Sequence, residues 1–302
     1  MSDVGFEGRV AIITGAGGGL GREHALLLAS RGAQVVVNDL GGAVDGTGSS
    51  AGPAQQVVEE IEARGGAAVA DTSSVATTEG AEAMVKTALE AFGRVDIVIN
   101  NAGILRDKSF KNMTPDLWDP VIAVHLTGAY NVTRAAWPHF CEQSYGRIVS
   151  TSSAAGIFGN FGQANYGAAK MGIVGLTRVW AQEGGRYNIR ANAIAPVART
   201  RMTEEILGPL VEKVDPALVS PVVAYLASDD CPVSGEIYSV GAGRVSRIFI
   251  GEAPGFFKKD LTVEDIRDNW DVIRAEGEYA IPTSVNDEFG KLLMPFLSDE
   301  EK

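Results

Sequence analysis

The sequence predicts an α/β fold of the doubly wound kind, a seven-stranded parallel sheet with helices on both faces and a C-terminal extension. Three observations predict it. Short apolar runs alternate with helix-like stretches from residue 9 to residue 243. The first two runs, "RVAIIT" and "QVVVND", hold unbroken apolar stretches, as strands buried on both faces do. A glycine-rich turn joins the first run to the first helical stretch.

The elements follow in order. "RVAIIT" (9–14) is the first strand, and a helix from about Gly21 to Arg31 stops at Gly32. "QVVVND" (34–39) is the second strand, followed by a long polar glycine loop and a helix over 54–64. "AAVAD" (67–71), a helix over 79–92 and "VDIVINNAG" (95–103) come next. Residues 118–140 read as one long helix, with Pro120 tolerated in its first turn. "GRIVSTSS" (146–153), a helix over 165–185, "IRANAIAP" (189–196), a helix holding 221–228 and "EIYSVGAG" (236–243) complete the alternation. The expected division is a catalytic domain at 1–243 and an extension at 244–302. The extension carries an amphipathic helix at about Val263–Ala275, capped by Thr262, with Val263, Ile266, Trp270 and Ile273 on one face. So short a block seldom makes a core of its own, so it is expected to pack on the main domain or on a partner subunit.

A hydrophobic fraction of 45% and a charged fraction of 21% suit a globular protein. The net charge of −12 argues against nucleic acid and anionic membranes as partners. There is no apolar run of membrane-spanning length, and the N-terminus lacks the basic-then-apolar pattern of a leader. Cys141 and Cys231 lie far apart without metal-ligand spacing, so no metal is expected, and cytoplasm is the expected compartment.

The turn "TGAGGGLG" places Gly15, Gly19 and Gly21 between strand and helix. Glycine allows positive φ and a close backbone approach, and the N–H groups of a helix start favour a pyrophosphate. This points to a dinucleotide-binding (Rossmann) sheet. Asp39 ends the second strand 24 residues after Gly15, where a carboxylate receives the adenosine ribose hydroxyls of NAD. The same carboxylate would repel a 2′-phosphate, and Asn38, Leu40 and Gly41 offer no arginine to relieve that. NAD is therefore expected over NADP.

Tyr166 and Lys170 stand four residues apart on a predicted helix, so their heads share a face. Ser153 ends the fifth strand, at the edge where such sheets bind ligands. A tyrosine that loses its proton near neutrality sits about three pKa units too high, roughly 4 kcal/mol at about 1.4 kcal/mol per unit. One ammonium ~4 Å away at an effective dielectric of ~20 supplies about that much. The expectation is that Lys170 makes Tyr166 acidic enough for acid–base work, with Ser153 holding the substrate oxygen.

At Thr14-Gly15, Gly19, Gly21, Asp39, Asn100-Asn101-Ala102-Gly103, Ser153 and Tyr166-x-x-x-Lys170, the chain resembles the short-chain dehydrogenase/reductase family over about residues 7–243. The resemblance implies a Ser153–Tyr166–Lys170 site, with Lys170 also touching the nicotinamide ribose. It implies further cofactor contacts from Leu20, Asn101, Ala102, Gly103, Pro196 and Thr200. Ser74 and Val75 align with the family's adenine contact, although Asp71 lies close by. "VVVNDLGG", "NNAGILRD", "TRAAW", "YGRI", "GNFGQANY" and "TRMT" resemble the (3R)-hydroxyacyl-CoA dehydrogenase part of the peroxisomal multifunctional enzymes of type 2. That implies oxidation of a (3R)-hydroxyacyl-CoA thioester to the 3-ketoacyl thioester by NAD, and a homodimer or homotetramer. A steroid or other secondary alcohol is the alternative substrate, and a non-catalytic NAD-binding protein the outside reading.

Two features depart from the family pattern. His125 stands where an asparagine usually serves a water-linked proton path; a neutral imidazole either keeps such a relay running or is structural. Val197 replaces the glycine expected after Pro196. Two other stretches bear on the substrate. Phe158 and Phe161, between Ser153 and Tyr166, either line the substrate wall or belong to the core. The basic stretch "LRDKSFK" (105–111) meets either CoA phosphates or solvent.

Overall fold

The computed structural model describes residues 3–199 and 214–297, with side chains to residue 293. Its strands are β1 (Val10–Thr14), β2 (Gln34–Asn38), β3 (Ala67–Asp71), β4 (Ile97–Asn100), β5 (Gly146–Thr151), β6 (Ile189–Val197), β7 (Ile237–Gly241) and β8 (Arg244–Ile248). They form one sheet in the order β3-β2-β1-β4-β5-β6-β7-β8. The reversal of strand order between β1 and β4 opens the crevice at which doubly wound sheets bind ligands.

The first seven strands run parallel. The expected count of seven is exceeded by one. β8 follows β7 across Ala242 and Gly243, both at positive φ, and a two-residue connection permits only an antiparallel return. The charged residues Arg244 and Arg247 broke the apolar pattern by which the other strands were recognised.

Strand parity sorts the core into two layers. Ala11, Ile13, Val35, Val37, Ile97 and Ile99 pack with α1 (Gly19–Ser30), α2 (Gly52–Ala63) and the later helix Ser220–Ala227 on one face. Val10, Ile12, Val36, Val98 and Ile148 pack on the other, against α3 (Thr78–Phe92) and the helices that follow β4 and β5. Each fully buried Val or Ile contributes roughly 1.5–3 kcal/mol relative to exposure.

The long helix expected over 118–140 is α4 (Pro115–Ile122), a π-turn at Ala123–Thr127 and α5 (Gly128–Gln143). Two further differences concern the crevice. The strand expected to reach residue 103 ends at Asn100, so Asn101–Gly103 form a loop. β5 ends at Thr151, and Ser153 is instead the N-cap of a short helix, α6 (Ala154–Phe158). The helix bearing Tyr166 is α7 (Ala164–Gly184), and Ser220–Ala227 is α8.

The chain divides into two compact units, residues 1–247 and 248–302. In the second, Thr262 and Asp265 form a capping box that starts α9 (Val263–Asp268). The single helix expected to Ala275 is interrupted at Asn269, after which comes α10 (Trp270–Ile273); α11 spans Val285–Leu297. No described residue from 248 to 293 is buried, and Val263 and Trp270 are exposed.

Candidate active site

A cavity of about 530 Å³ opens along the carboxyl ends of the strands. Gly15, Gly19, Leu20, Asp39, Ser74, Val75, Asn101, Ala102, Gly103, His125, Ser153, Tyr166, Lys170 and Pro196 all line it. Gly21 does not; it packs beneath the turn, where a Cβ would lie 2.3 Å from the Gly15 carbonyl oxygen. Thr200 lies outside the described residues. Val197, beside Pro196, is 44% exposed.

The glycine turn is built for close approach. Gly15 has φ +64°, and a Cβ there would stand 2.8 Å from Ala102 Cα. The side chain of Asn101 holds the turn by donating to the carbonyls of Thr14 and Gly15, at 3.0 and 3.1 Å. Thr14 Oγ1 accepts from the backbone N–H of Asn101 and of Ala102, both at 3.0 Å. The backbone after β4 and the turn after β1 are thereby one hydrogen-bonded unit.

Asp39 sits at the far end of the cavity. Its two carboxylate oxygens accept from Gly17 N (2.8 Å) and Gly41 N (2.7 Å), one bond each. A carboxylate has about four acceptor positions, so two remain for ligand hydroxyls. Ser74 and Val75 line the neighbouring wall, whereas the Asp71 side chain is buried and occupied by Asn38 Nδ2, Ser73 N and Thr87 Oγ1.

At the other end Ser153, Tyr166 and Lys170 converge. The Ser153 hydroxyl accepts from Ala155 N at 3.2 Å and lies near enough to the Tyr166 phenol to lower its pKa. Lys170 is 2% exposed, and its ammonium donates to Thr151 O at 2.6 Å. The Ser152 hydroxyl donates to Lys170 O at 2.8 Å, so the end of β5 holds this helix turn from two sides.

The electrostatics differ from the expectation that Lys170 acidifies Tyr166. Lys170 Nζ is 5.4 Å from the Tyr166 ring centroid. Burial holds the phenol above its ordinary value, only partly opposed by the Ser153 hydrogen bond. Burial also pushes Lys170 itself down to about 7. Desolvation is the first cause at both groups.

His125 lies in the π-turn and is buried. Its Nε2 is 3.0 Å from Ile104 N and 2.8 Å from Ile104 O. Gly103 makes room for it, since a Cβ there would be 2.3 Å from His125 Cε1. Burial, then the nearby Lys170 charge, hold its pKa well below the ordinary imidazole value, so the ring is neutral. His125 Nδ1 and Asn100 Oδ1 are both buried without a hydrogen-bond partner. Both residues, with Lys170, line a second small cavity of about 10 Å³, close to the room one water needs.

Asn165 escaped the sequence reading, as did the bridging role of Arg106, which lies in the basic stretch 105–111. Asn165 is fully buried. Its Nδ2 donates to Arg106 O (2.9 Å) and Leu117 O (2.8 Å), while its Oδ1 accepts from Tyr166 N (2.7 Å). Arg106 in turn donates to Asp45 O (2.8 Å) and Asp116 O (2.7 Å). It ties the glycine loop after β2, several of whose residues line the cavity, to the start of α4. An asparagine at the first turn of a helix is the signal that points to Asn165.

A glycine turn, with Ser153, Tyr166 and Lys170 on the same cavity at the carboxyl ends of the strands, makes the class an oxidoreductase of the Rossmann type. Residues 9–208 match the short chain dehydrogenase family, and the chain belongs to it. Among its relatives, a short-chain type dehydrogenase/reductase of Mycobacterium tuberculosis is 55% identical over 88% of this chain and 94% of its own length. A hydroxyacyl-CoA dehydrogenase of the same organism is 40% identical over 80% of each chain. The solved structure of full-length peroxisomal multifunctional enzyme type 2 from Drosophila melanogaster superposes with a TM-score of 0.83 at 37% identity. The match covers 98% of this chain and 50% of the Drosophila chain, so this chain spans half the length of that enzyme. The resemblance noted in the sequence is thus upheld. No helix of the described residues is long and apolar enough to cross a membrane.

Proposed function

We propose that this protein oxidises a (3R)-3-hydroxyacyl-CoA thioester to the 3-ketoacyl thioester with NAD as cofactor. The observation that carries the reading is that Ser153, Tyr166 and the buried Lys170 line one cavity together with Asp39. Asp39, with acceptor positions to spare and no arginine beside it, favours a ribose diol over a 2′-phosphate. Kinship with a hydroxyacyl-CoA dehydrogenase supports the substrate class.

In this reading Ser153 orients the substrate hydroxyl toward Tyr166, and the tyrosine oxygen takes its proton. Bound NAD supplies the hydride acceptor and a positive charge near the phenol. That charge matters, because burial alone leaves Tyr166 too weak an acid. Lys170, anchored on Thr151 O, presents its remaining N–H groups to the cofactor ribose and to the small cavity shared with Asn100 and His125. A water held there by Asn100 Oδ1 and His125 Nδ1 carries the proton away from Lys170. The neutral ring suits this, because it offers Nδ1 as donor or acceptor according to its tautomer.

The exposed Tyr130, Met171 and Val179 on α5 and α7 support pairing of subunits through these helices. Two free cysteines, Cys231 buried and Cys141 partly so, fit a reducing compartment such as the cytoplasm.

The test is NADH release across (3R)- and (3S)-hydroxyacyl-CoA thioesters and steroid alcohols. Selective turnover of (3R) thioesters is expected. Turnover of steroids alone, or of no alcohol at all, contradicts the proposal.

A further inference from the structure

The basic stretch at 105–111 and the aromatic segment between Ser153 and Tyr166 come together in the structure. Lys108 N donates to Gly162 O at 2.8 Å, and Lys108 forms a parallel bridge with Gln163. Gln163 Nε2 donates to the Asp107 carboxylate at 2.7 Å. Gln163, Asn160 and Arg106 all line the main cavity, so this joined edge forms part of its rim.

The two joined segments carry an unusual surface just outside the residues that line the cavity. Phe110, Phe158 and Phe161 are 79%, 72% and 89% exposed, which removes the core as an explanation for the last two. Exposed phenyl rings on two segments joined by hydrogen bonds mark a binding surface more often than does a scattered apolar residue. Beside them Lys108 and Lys111 are exposed and make no ion pair among the described residues. Residues 106–111 carry three cations and one anion within a chain of net charge −12.

Aromatic faces next to unpaired cations suit a ligand that joins a planar base to phosphates. A cavity of about 530 Å³ accommodates about one drug-sized molecule. A dinucleotide and a complete acyl-CoA exceed it, so part of the substrate lies outside. Resting on the function proposed above, we propose that the rim formed by Lys108, Lys111, Phe110, Phe158 and Phe161 binds the nucleotide end of the CoA thioester while the acyl end reaches Tyr166.

The experiment compares two substrates with the same acyl group, the CoA thioester and the pantetheine thioester that lacks the nucleotide. With the variant Lys108→Glu/Lys111→Glu, KM for the CoA thioester should rise about tenfold while kcat holds, as expected for charges at a binding rim. KM for the pantetheine thioester should stay unchanged. Phe161→Ala should raise KM for the CoA thioester alone as well. In the wild-type protein, KM for the CoA thioester should rise with salt, and the double variant should lose that dependence.

Equal effects on both thioesters, or none on either, overturn the proposal while leaving the hydroxyacyl-CoA reading intact. A change in sedimentation of the variant with both KM values unmoved assigns the rim to contacts between copies instead, which also overturns it. Failure of the wild-type protein to oxidise any thioester overturns both readings.

Discussion

The imidazole of His125 meets the ring of Tyr166 edge to face, with centroids 5.1 Å apart and planes at 85°. The contact places a neutral ring where a charged one would compete with Lys170 for the space between them. His125→Leu should therefore lower kcat by about a hundredfold, the lower end of general acid–base effects, because Nδ1 is lost from the small cavity. His125→Asn should recover most of it. Because the imidazole is held neutral, the pH profile of kcat/KM should contain no ionisation that disappears in His125→Asn.

Asp39→Ala should narrow the preference for NAD over NADP by raising KM for NAD and lowering it for NADP. Two acceptor positions are lost and the repulsion of a 2′-phosphate disappears together. Steady-state kinetics with both cofactors measures this, and an unchanged ratio counts against the ribose contact.

Asn165 fixes the backbone of Tyr166 to two carbonyls of the opposite wall. Asn165→Ala should cut kcat by roughly ten- to a hundredfold, as small misplacements of reacting groups do, with KM for NAD little changed. Arg106→Ala acts on the glycine loop instead and should raise KM for NAD with a smaller change in kcat. A reversal of these two patterns refutes the division of labour.

His24 is fully buried, its Nδ1 2.8 Å from Ser220 Oγ and its Nε2 unpartnered. Burial lowers its pKa from 6.5 to about 3. The unfolded chain thus binds the proton more tightly, so the stability that comes from the neutral ring is complete above pH 6.5 and is lost as pH falls toward 3. The loss approaches ~1.4 kcal/mol per pH unit within that window. His24→Asn keeps a partner for Ser220 and removes the titration. Denaturant unfolding between pH 4 and 7 should show a flatter stability slope in the variant.

Much of the fold was legible because strands such as β1, β2 and β4 are buried along nearly their whole length and alternate with helical stretches that end at glycines. The proposed cofactor end was legible for a related reason, since the places of Gly15 and Asp39 follow from fixed positions at the ends of β1 and β2. What escaped depends on contacts between distant segments. Nothing near Arg106 in the sequence says that its guanidinium reaches Asp45 O, or that its carbonyl meets Asn165. The π-turn at Ala123–Thr127 has no compositional mark. The balance at Tyr166 also needed coordinates, because the expected help from Lys170 assumed a separation of ~4 Å in a partly solvated setting. In the structure Lys170 is fully buried and Tyr166 partly so, and desolvation decides the sign.

The most direct test concerns the phenol itself. Tyr166→Phe removes one oxygen and leaves the ring against His125. Hydride transfer from a (3R)-hydroxyacyl thioester, followed by NADH absorbance, should fall by about a thousandfold, while NAD titrated by calorimetry binds as it does to the wild-type protein. A variant that binds NAD and still transfers hydride at the wild-type rate would show that the proton leaves by a route without Tyr166.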